Sequence, residues 1–315
     1  MKELLEECRS IVRNKFSKDE IVATENTDNF IKAMIESDNF VIFYNMLEEE
    51  YSKSLFKSLI KYRYMLSFNR DAYTNFEKKI KLSMKYGSIN IFSWGLKRIL
   101  FGLKKFKYPK EIENFLLFYI FGLEQYNIKN IFEVSNDSVV FDVGAWKGDT
   151  AYFFSKRCSD KAKIYAFEPD KNACDTLKMI KEKYKLNNVI LENVLFSNKN
   201  EVIDFVSMTP NTPTVQMNAI TVDAFVEENN IERIDYLKMD VEGAEMHILE
   251  GSINTIKKFR PYLAIAIYHG GELFMEDFYK VPIFIKEITE NYEYYIRTFS
   301  PWGGETILFC KPKNR

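Results

Sequence analysis

The sequence predicts an α/β fold, in which a parallel, doubly wound sheet follows a mainly helical N-terminal region. Before residue 138, apolar residues recur at intervals of three and four, which is the period of an amphipathic helix. After residue 138, short β-branched or aromatic runs alternate with amphipathic segments, which is the pattern of βαβ units. We therefore expect a helical region over 1–130, which caps the second domain or pairs subunits into a homo-oligomer, and a sheet-bearing domain over 131–315.

The sheet-bearing part alternates between the two kinds of element along the chain. Thr221 is expected to cap a helix, and the almost wholly apolar run at 262–269 is typical of a strand covered on both faces. At the C-terminal end, the runs at 292–299 and 305–310 flank the turn sequence SPWGG and predict an antiparallel hairpin. The other predicted strands are 139–143, 163–169, 188–196, 201–208 and 234–241, and the predicted helices are 151–158, 172–186, 221–230 and 245–259.

Composition limits the class of protein. The 315 residues hold 44 Lys and Arg against 45 Asp and Glu, and a net charge of −1 lacks the electrostatic footprint of a general nucleic-acid binder. With 46% hydrophobic residues and only 12 Gly and 8 Pro, the chain can bury a sizeable core. We therefore expect a globular protein that does not bind nucleic acid.

Cysteine and histidine are scarce and scattered. Four cysteines without a CxxC pair argue against a disulfide scaffold or a zinc cluster, and two histidines cannot form a multi-histidine metal site. The N-terminus holds acidic residues and lacks the apolar core of a signal peptide. The longest apolar stretch, 115–123, is far shorter than the ~20 residues that span a bilayer. These features predict a cytoplasmic protein with no transmembrane segment and no bound metal.

The sharpest motif is DVGAWKGDT at 142–150, where the first strand turns into the first helix. Gly144 allows the turn and a close backbone approach, and Gly148 lets the helix pack against the sheet. The spacing departs from the G-x-G-x-x-G fingerprint of dinucleotide sites, and Asp142 would repel a pyrophosphate. The same acid suits the cationic amino-acid end of S-adenosylmethionine, which carries no phosphate. The alternative is a plain tight turn in any α/β domain.

Two further motifs lie at the ends of later strands. Glu168, followed by Pro169, ends the second strand, where a carboxylate can accept both ribose hydroxyls of a nucleotide. NAD would use the same acid, so Glu168 does not choose between cofactors. In KMDVEGAE, Asp240 and Glu242 follow a strand, and ligands of open α/β sheets bind outside such carboxyl ends. Glu245 is expected on a helix surface or capping its first turn.

Four segments together resemble the FkbM family of S-adenosylmethionine-dependent methyltransferases. They are FDVGAWKGDT, YAFEPD, IDYLKMDVEGAE and YLAIAIYH, of which KMDVEGAE is the most specific. The likeness runs from Val139 to Phe309 and includes GGELFMEDFYKVPIFIKEI and the YYIRTFSPWGGETILF hairpin. A looser likeness, at 47–63, is to the helical region that precedes the catalytic domain in members encoded with glycan-biosynthesis genes.

The resemblance implies a class I (Rossmann-like) methyltransferase fold, with seven strands and one terminal antiparallel strand. It also implies O-methylation, with the hydroxyl of a sugar or glycan precursor as the expected acceptor. The methionine part of the cofactor would lie on Asp142, Gly144 and Gly148, and its ribose on Glu168. Adenine contacts at 195–198 are placed by position alone. The expected cofactor contacts are Asp142, Gly144, Ala145, Gly148, Asp149, Thr150, Glu168, Pro169 and Asp240.

Catalysis of this kind requires a group that removes the acceptor proton, because a sugar hydroxyl is a poor nucleophile until the proton leaves. His269 ends a strand, and the ordinary pKa of histidine near neutrality suits a base. We expect His269 to be the general base, with Asp240 or Glu242 orienting it or the acceptor. The alternative is a hydrogen-bonded histidine at a strand end. A less favoured variant places a divalent ion between Asp240, Glu242 and the acceptor.

The acceptor is expected to contact side chains of the C-terminal part that also look typical of the family, namely Tyr268, Arg297 and Glu305. Arg297 could hold a phosphate or carboxylate of an activated sugar. An equally good interpretation pairs Arg297 with Glu305 across the hairpin.

Two other functional classes stay open at this point. An NAD(P)-dependent oxidoreductase would share the sheet and Glu168, but the sequence lacks the third glycine and shows no Tyr-x-x-x-Lys pair in a helix after the fourth strand. A catalytically silent, methyltransferase-like binding module is the second. Nucleic-acid methylation is weaker, because no Asn-Pro-Pro-Tyr or Asp-Pro-Pro-Tyr motif is present to receive a flipped base.

Overall fold

The N-terminal part of the chain is helical in the computed structural model, which describes residues 2–15, 38–67, 76–86, 89–269 and 276–313. The helical prediction is confirmed there, while its parts at 16–37 and 68–75 lie outside the described residues. The helices are α1 Lys2–Lys15, α2 Asn39–Met46, α3 Glu50–Ser67, α4 Phe76–Tyr86, α5 Ile91–Gly102 and the short α6 Asn114–Leu117, which continues into a π turn at Phe118–Gly122.

The rest of the chain alternates strands and helices, as predicted. Thr221 caps its helix as expected, since its hydroxyl accepts a hydrogen bond from the backbone N–H of Ala224 at 3.0 Å. The strands are β1 Val139–Val143, β2 Lys163–Phe167, β3 Val189–Glu192, β4 Leu195–Phe196, β5 Glu201–Phe205, β6 Val215–Ile220, β7 Tyr236–Met239, β8 Tyr262–Ala266, β9 Tyr292–Thr298 and β10 Thr306–Pro312. The helices are α7 Asp149–Arg157, α8 Lys171–Lys183, α9 Val222–Glu228, α10 Glu245–Glu250, α11 Ile253–Phe259 and α12 Glu276–Ile288.

Seven strands form one sheet in the order β3-β2-β1-β7-β8-β10-β9. The first five are parallel neighbours, and the C-terminal strands are antiparallel, so the predicted α/β fold is confirmed. The four residues of β7 are all buried, as are the last four of β1 and of β8. Central strands of a parallel sheet are covered on both faces, which explains their apolar sequences.

A second, three-stranded sheet of order β4-β6-β5 was not predicted. The predicted strand at 188–196 is divided, since β3 joins the large sheet and β4 pairs with β6. The side chain of Asn193 lies at the break and donates to the backbone oxygens of Glu168 and Pro169 at 2.8 and 3.0 Å. Prolines at 210 and 213 give the β6 region a loop-like sequence, but its antiparallel pairing with β5 makes it a strand.

The single helix predicted at 245–259 is two helices, α10 and α11. The chain turns at Gly251, where a Cβ atom would lie 2.3 Å from the backbone oxygen of Ser197. This close approach of two backbone segments is a tertiary constraint that local helix propensity does not contain.

The chain divides into two compact units that do not follow its order. The first comprises Met1–Lys97, Ala266–Glu287 and Glu293–Leu308, and its core contains a cluster of Phe40, Phe43, Phe56 and Phe278 rings with centroids 5.3–6.4 Å apart. The second comprises Arg98–Ile265, Ile288–Tyr292 and Phe309–Arg315. The division of the sequence into two domains near residue 130 stays a prediction.

Within the second unit, the segment before β1 packs on the sheet-flanking helices. Ion pairs join Glu113 to Lys147, Glu111 to Lys183 and Glu124 to Arg157. The ring of Phe121 contacts those of Tyr152 and Phe153 on α7 at centroid distances of 5.8 and 5.4 Å. This packing brings residues from before 130 to the strand ends. In the described part of the chain, no helix combines the length and the apolar character that crossing a bilayer needs.

Candidate active site

The candidate site is built where three parallel strands of the second unit end side by side. Val143, the last residue of β1, is in register with Phe167 of β2 and with Met239 of β7. The residues that follow, Gly144, Glu168 and Asp240, therefore leave the sheet at one edge. The sequence motifs predicted this grouping, because parallel strands present their carboxyl ends together.

Gly144 forms the turn that the first motif predicted. Its φ is +80°, a left-handed conformation that disfavours residues with a side chain, and its N–H donates to the backbone oxygen of Phe167 at 3.0 Å. A Cβ atom here would lie 2.0 Å from the backbone oxygen of Asp240. The turns after β1 and β7 are thus in direct backbone contact, which only glycine permits.

Gly148 is the N-cap of α7 and allows this helix to pack closely against α8. Its φ is +94°, and a Cβ atom would lie 2.8 Å from Cγ of Leu177. Asp149 is the first residue of the helix and is buried there. Burial raises the pKa of Asp149 to about 7, although nearby Lys238 lowers it, and the charge of Asp142 adds to the increase.

Glu168 is buried and links the turn after β1 to the turn after β2. One carboxylate oxygen accepts from the N–H of Trp146 and the other from the N–H of Asp170, both at 2.8 Å. Burial raises the pKa of Glu168 to about 7, and these two hydrogen bonds counteract it. A carboxylate oxygen has lone pairs for a second donor, so the same group can still accept from a ligand.

Asp142 lies in the interior rather than at an open surface. Its exposed fraction is 0%, its Oδ2 accepts from the Thr150 hydroxyl at 2.7 Å, and its Oδ1 is 3.2 Å from Nζ of Lys238. The cation beside this acid is therefore Lys238 of the chain itself. The sequence had singled out Asp142 and Thr150, but it gave Lys238 no role.

Lys238 ties β7 to the first turn. Its Nζ donates to the backbone oxygen of Gly144 at 2.5 Å and to that of Val143 at 3.3 Å. Burial lowers the pKa of Lys238, but the neighbouring carboxylates outweigh burial and raise the pKa overall; they are Asp142, Asp240 and Asp149. The lysine thus stays charged, and its two hydrogen bonds stabilise the backbone of the glycine turn.

Asp240 is oriented by a residue from before the sheet. The hydroxyl of Tyr126 donates to Asp240 Oδ2 at 2.8 Å, and the Tyr126 ring lies 5.6 Å from Lys238 Nζ. The backbone oxygen of Tyr126 accepts from the buried Tyr236 hydroxyl at 2.7 Å. Sequence reasoning missed Tyr126, because no motif surrounds it and it precedes the predicted catalytic domain.

The conformation of the loop after Asp240 depends on the Glu245 carboxylate and on two consecutive residues with positive φ, Glu242 and Gly243. Glu242 is exposed with a φ of +56°, and Gly243 has a φ of +104°. The buried carboxylate of Glu245 accepts from the N–H groups of Val241 and Gly243 at 3.0 and 2.9 Å. Glu245 therefore caps the loop at the start of α10, the second of its expected roles.

The other predicted residues lie in the first unit. His269 follows β8 by three residues, is 8% exposed, and its ring centroid is 4.0 Å from that of Tyr268. The Tyr268 hydroxyl donates to Glu305 at 3.5 Å. Arg297 forms an ion pair with Glu49, the residue before α3, and donates to the Ser52 hydroxyl at 3.2 Å. Of the two open interpretations of Arg297, pairing with Glu305 is therefore wrong, because the acid it pairs with is Glu49, which is distant in the sequence.

A cavity of about 490 Å³ lies elsewhere in the second unit. It is lined by residues of α9 and α11 and by the segment leading to the amino end of β7, including Asp223 and Ile231. The strand-end motifs lie at the opposite, carboxyl end of β7, and we place the site there.

Comparison with known proteins agrees with this geometry. Residues 142–294 match the family model described as the Methyltransferase FkbM domain. A curated relative, the hexuronic acid methyltransferase AglP of Haloferax volcanii, is 25% identical over 146 residues, which are 44% of this chain and 59% of that protein. The chain thus spans less than two thirds of the length of this relative.

The fold has a counterpart among solved structures. The methyltransferase FkbM from Methylobacillus flagellatus aligns with a TM-score of 0.61 at 15% identity, over 90% of this chain and 60% of that one. Fibrillarin from Aeropyrum pernix, solved with natively bound S-adenosyl-L-methionine, aligns with a TM-score of 0.40 at 15% identity, over 60% of this chain and 74% of that one. The family model begins inside β1 and ends inside β9, so the match covers most of the large sheet but not β10, and over these residues the chain is similar to methyltransferases of the FkbM family.

Proposed function

We propose that the protein is a methyltransferase that uses S-adenosyl-L-methionine and methylates a hydroxyl oxygen of a sugar in a glycan or glycan precursor. The observation that carries the proposal is the meeting of Gly144, Glu168 and Asp240 at the carboxyl ends of three adjacent parallel strands. The acceptor class is supported by the likeness to AglP, whose name states that it methylates a hexuronic acid.

The residues at this edge fit a cofactor that has a ribose and no phosphate. Both lysines near the glycine turn are engaged by carboxylates, Lys147 by Glu113 and Lys238 by Asp142. Neither offers a cation to a pyrophosphate, whereas Glu168 offers a carboxylate to ribose hydroxyls. This donor set favours S-adenosyl-L-methionine over NAD(P).

In the proposed complex, the turn from Gly144 to Gly148 holds the methionine part and Glu168 holds the ribose. When bound, the cofactor supplies an electrophilic methyl group. Asp240, fixed by the Tyr126 hydroxyl at 2.8 Å, orients the acceptor next to that group. The remaining proposed cofactor contacts are Asp142, through its support of the turn, and Ala145, Asp149, Thr150 and Pro169.

His269 is the proposed general base. β7 and β8 are parallel, with Met239 opposite Ile265, so the segments that follow both strands leave the sheet at the same edge. An imidazole nitrogen of His269 takes the proton from the acceptor hydroxyl as the new C–O bond forms. Glu242 is proposed to assist from the exposed loop after Asp240.

Tyr268 and Glu305 are the favoured acceptor contacts of the first unit. Arg297 is a weaker candidate, because its guanidinium already pairs with Glu49. The helical N-terminal region is proposed to cap the site or to pair subunits, and the cytoplasmic location stays a prediction.

Calorimetry tests the cofactor and labelled methyl transfer tests the acceptor. Titration of the pure chain with S-adenosyl-L-methionine and with S-adenosylhomocysteine should give saturable binding, whereas NAD⁺ should give none. Glu168→Gln should lower the affinity for both ligands by about tenfold, whereas Glu192→Gln, at the end of β3, should leave it unchanged. Binding of NAD⁺ alone would overturn the cofactor assignment. Transfer of labelled methyl to a nitrogen or to a carboxylate, rather than to a hydroxyl oxygen of uronic-acid glycans, would overturn the acceptor class.

A further inference from the structure

Helix α5 presents an apolar face to the outside of the protein. Phe92, Leu96, Ile99 and Leu100 lie on it, Leu103 continues it just past the helix end, and all five side chains are between 51% and 72% exposed. Their spacing of four, three, one and three residues places them on one side of the helix. Five large apolar side chains grouped in this way form a patch rather than scattered exposed residues.

The opposite side of α5 is anchored. Trp94 is buried, its indole N–H donates to the backbone oxygen of Phe299 at 2.8 Å, and its ring meets that of Trp302 at a centroid distance of 5.6 Å. A Cβ atom built on Gly95 or Gly102 would meet no atom within 4 Å. The anchored tryptophan holds the apolar face outward.

The surrounding segment is strongly basic. Residues 78–110 contain ten Lys and Arg and no Asp or Glu, in a chain whose net charge is −1. The six basic side chains between residues 97 and 110 are all exposed: Lys97, Arg98, Lys104, Lys105, Lys107 and Lys110. Such a concentration of one sign attracts an anionic surface.

We infer that α5 and the basic segment after it bind the surface of an anionic lipid bilayer. The apolar face would enter the boundary between headgroups and acyl chains, while the lysines contact lipid phosphates. A short amphipathic helix with basic flanks is suited to lying in that interface. This inference goes beyond the proposed function and does not depend on the acceptor.

A lipid surface fits these features better than a second copy of the chain does. A symmetric pairing through α5 would bring two segments of ten positive charges together, and like charges at an interface are repelled. A polyanion such as nucleic acid would satisfy the lysines but would leave the five apolar side chains without a partner. Of these three partners, the anionic bilayer is the one that offers both an apolar layer and a negative surface.

Vesicle sedimentation of the full chain tests the inference. Binding to phosphatidylcholine vesicles with about 30 mol % phosphatidylglycerol should be at least about tenfold tighter than to phosphatidylcholine alone. The triple variant Leu96→Ser, Ile99→Ser, Leu103→Ser should bind the anionic vesicles about tenfold less tightly. The matched control Val202→Ser, Val206→Ser, Met208→Ser removes apolar side chains of similar exposure, 60–68%, and should leave binding unchanged.

A charge series separates the electrostatic part. Lys104→Gln, Lys105→Gln, Lys107→Gln should reduce binding to anionic vesicles by about tenfold, while exposed lysines elsewhere, changed as Lys163→Gln, Lys178→Gln, Lys257→Gln, should alter it by less than about twofold. Circular dichroism confirms that each variant is folded. The inference is overturned if the wild-type chain ignores anionic vesicles, or if the apolar triple variant binds them as well as the wild type does. A dimer that the apolar triple variant dissociates, with no vesicle binding, would assign the face to a second copy instead.

Discussion

Replacing Lys238 by methionine tests whether one buried cation holds the candidate site together. The lysine is 2% exposed, and its Nζ lies 3.2 Å from Asp142 Oδ1 and 2.5 Å from the Gly144 backbone oxygen. At 3.2 Å and an effective dielectric constant of about 20, the charges of Lys238 and Asp142 attract each other by roughly 5 kcal/mol. Most of this attraction offsets the cost of burying the two charges. Methionine keeps the length of the side chain and removes its charge.

Lys238→Met should lower the free energy of unfolding by about 3–5 kcal/mol, because it leaves the Asp142 carboxylate buried without its cation. For a chain of this size, a loss of that magnitude lowers the melting temperature by roughly 5–8 °C. The double variant Lys238→Met, Asp142→Asn should cost less than the two single changes together, by about 2 kcal/mol or more. Lys163→Met is the control, since Lys163 is an exposed residue on the neighbouring strand β2.

Denaturant unfolding followed by circular dichroism measures the wild type, both single variants, the double variant and the Lys163→Met control, and calorimetry measures their affinity for S-adenosyl-L-methionine. Loss of the Nζ contact to the Gly144 oxygen should lower the affinity for S-adenosyl-L-methionine even when the variant is folded. The reasoning is refuted if the single changes add within about 0.5 kcal/mol, because independent sites behave in that way.

Four other outcomes follow from the same geometry. Gly144→Ala places a Cβ 2.0 Å from the Asp240 oxygen at a φ of +80° and should cost at least about 2 kcal/mol in denaturant melts, whereas Gly95→Ala, in open space, should not destabilise. Burial raises the pKa of Glu168 in the folded protein from about 4.5 to about 7, so its contribution to stability is fully present below about pH 4.5 and is lost as the pH rises to about 7. The free energy of unfolding should therefore fall by roughly 3 kcal/mol across this range in the wild type and by less in Glu168→Gln. The same fall in both proteins would contradict this reasoning. Tyr126→Phe removes the 2.8 Å hydrogen bond to Asp240 and should lower turnover by about tenfold with cofactor affinity unchanged, a result not expected of Tyr295→Phe. His269→Ala should lower turnover by about 10²-fold or more with unchanged cofactor affinity, and activity should survive excess chelator; full activity of the variant would remove the proposed base.

The large sheet and its strand-end motifs could be predicted because they are encoded locally. Apolar runs of strand length mark β1, β7 and β8, and DVGAWKGDT marks the turn after β1. Parallel pairing then places Gly144, Glu168 and Asp240 at one edge whatever the loops do. The family resemblance rested on these same segments, and the domain match spans them.

The errors in the prediction have tertiary causes. β6 follows two prolines and has mostly polar or exposed residues, so only pairing with β5 and β4 makes it a strand. The helix predicted at 245–259 is divided at Gly251, where the backbone of Ser197 lies too close for any side chain. Arg297 pairs with Glu49, nearly 250 residues away in sequence, rather than with its hairpin neighbour. None of these contacts leaves a periodic trace in the sequence.

By itself, the sequence determined the alternation of strands and helices, the glycine turn and the acids at the strand ends, since period, propensity and motif spacing act over a few residues. Only the tertiary structure decided which partners those acids have. It enclosed Asp142 with Lys238, occupied both oxygens of Glu168 with backbone N–H groups, and brought the Tyr126 hydroxyl to Asp240 across 114 residues. The physical reason is burial: a charged group removed from water must find its partner among whatever the packed chain brings near, and sequence distance does not limit that choice.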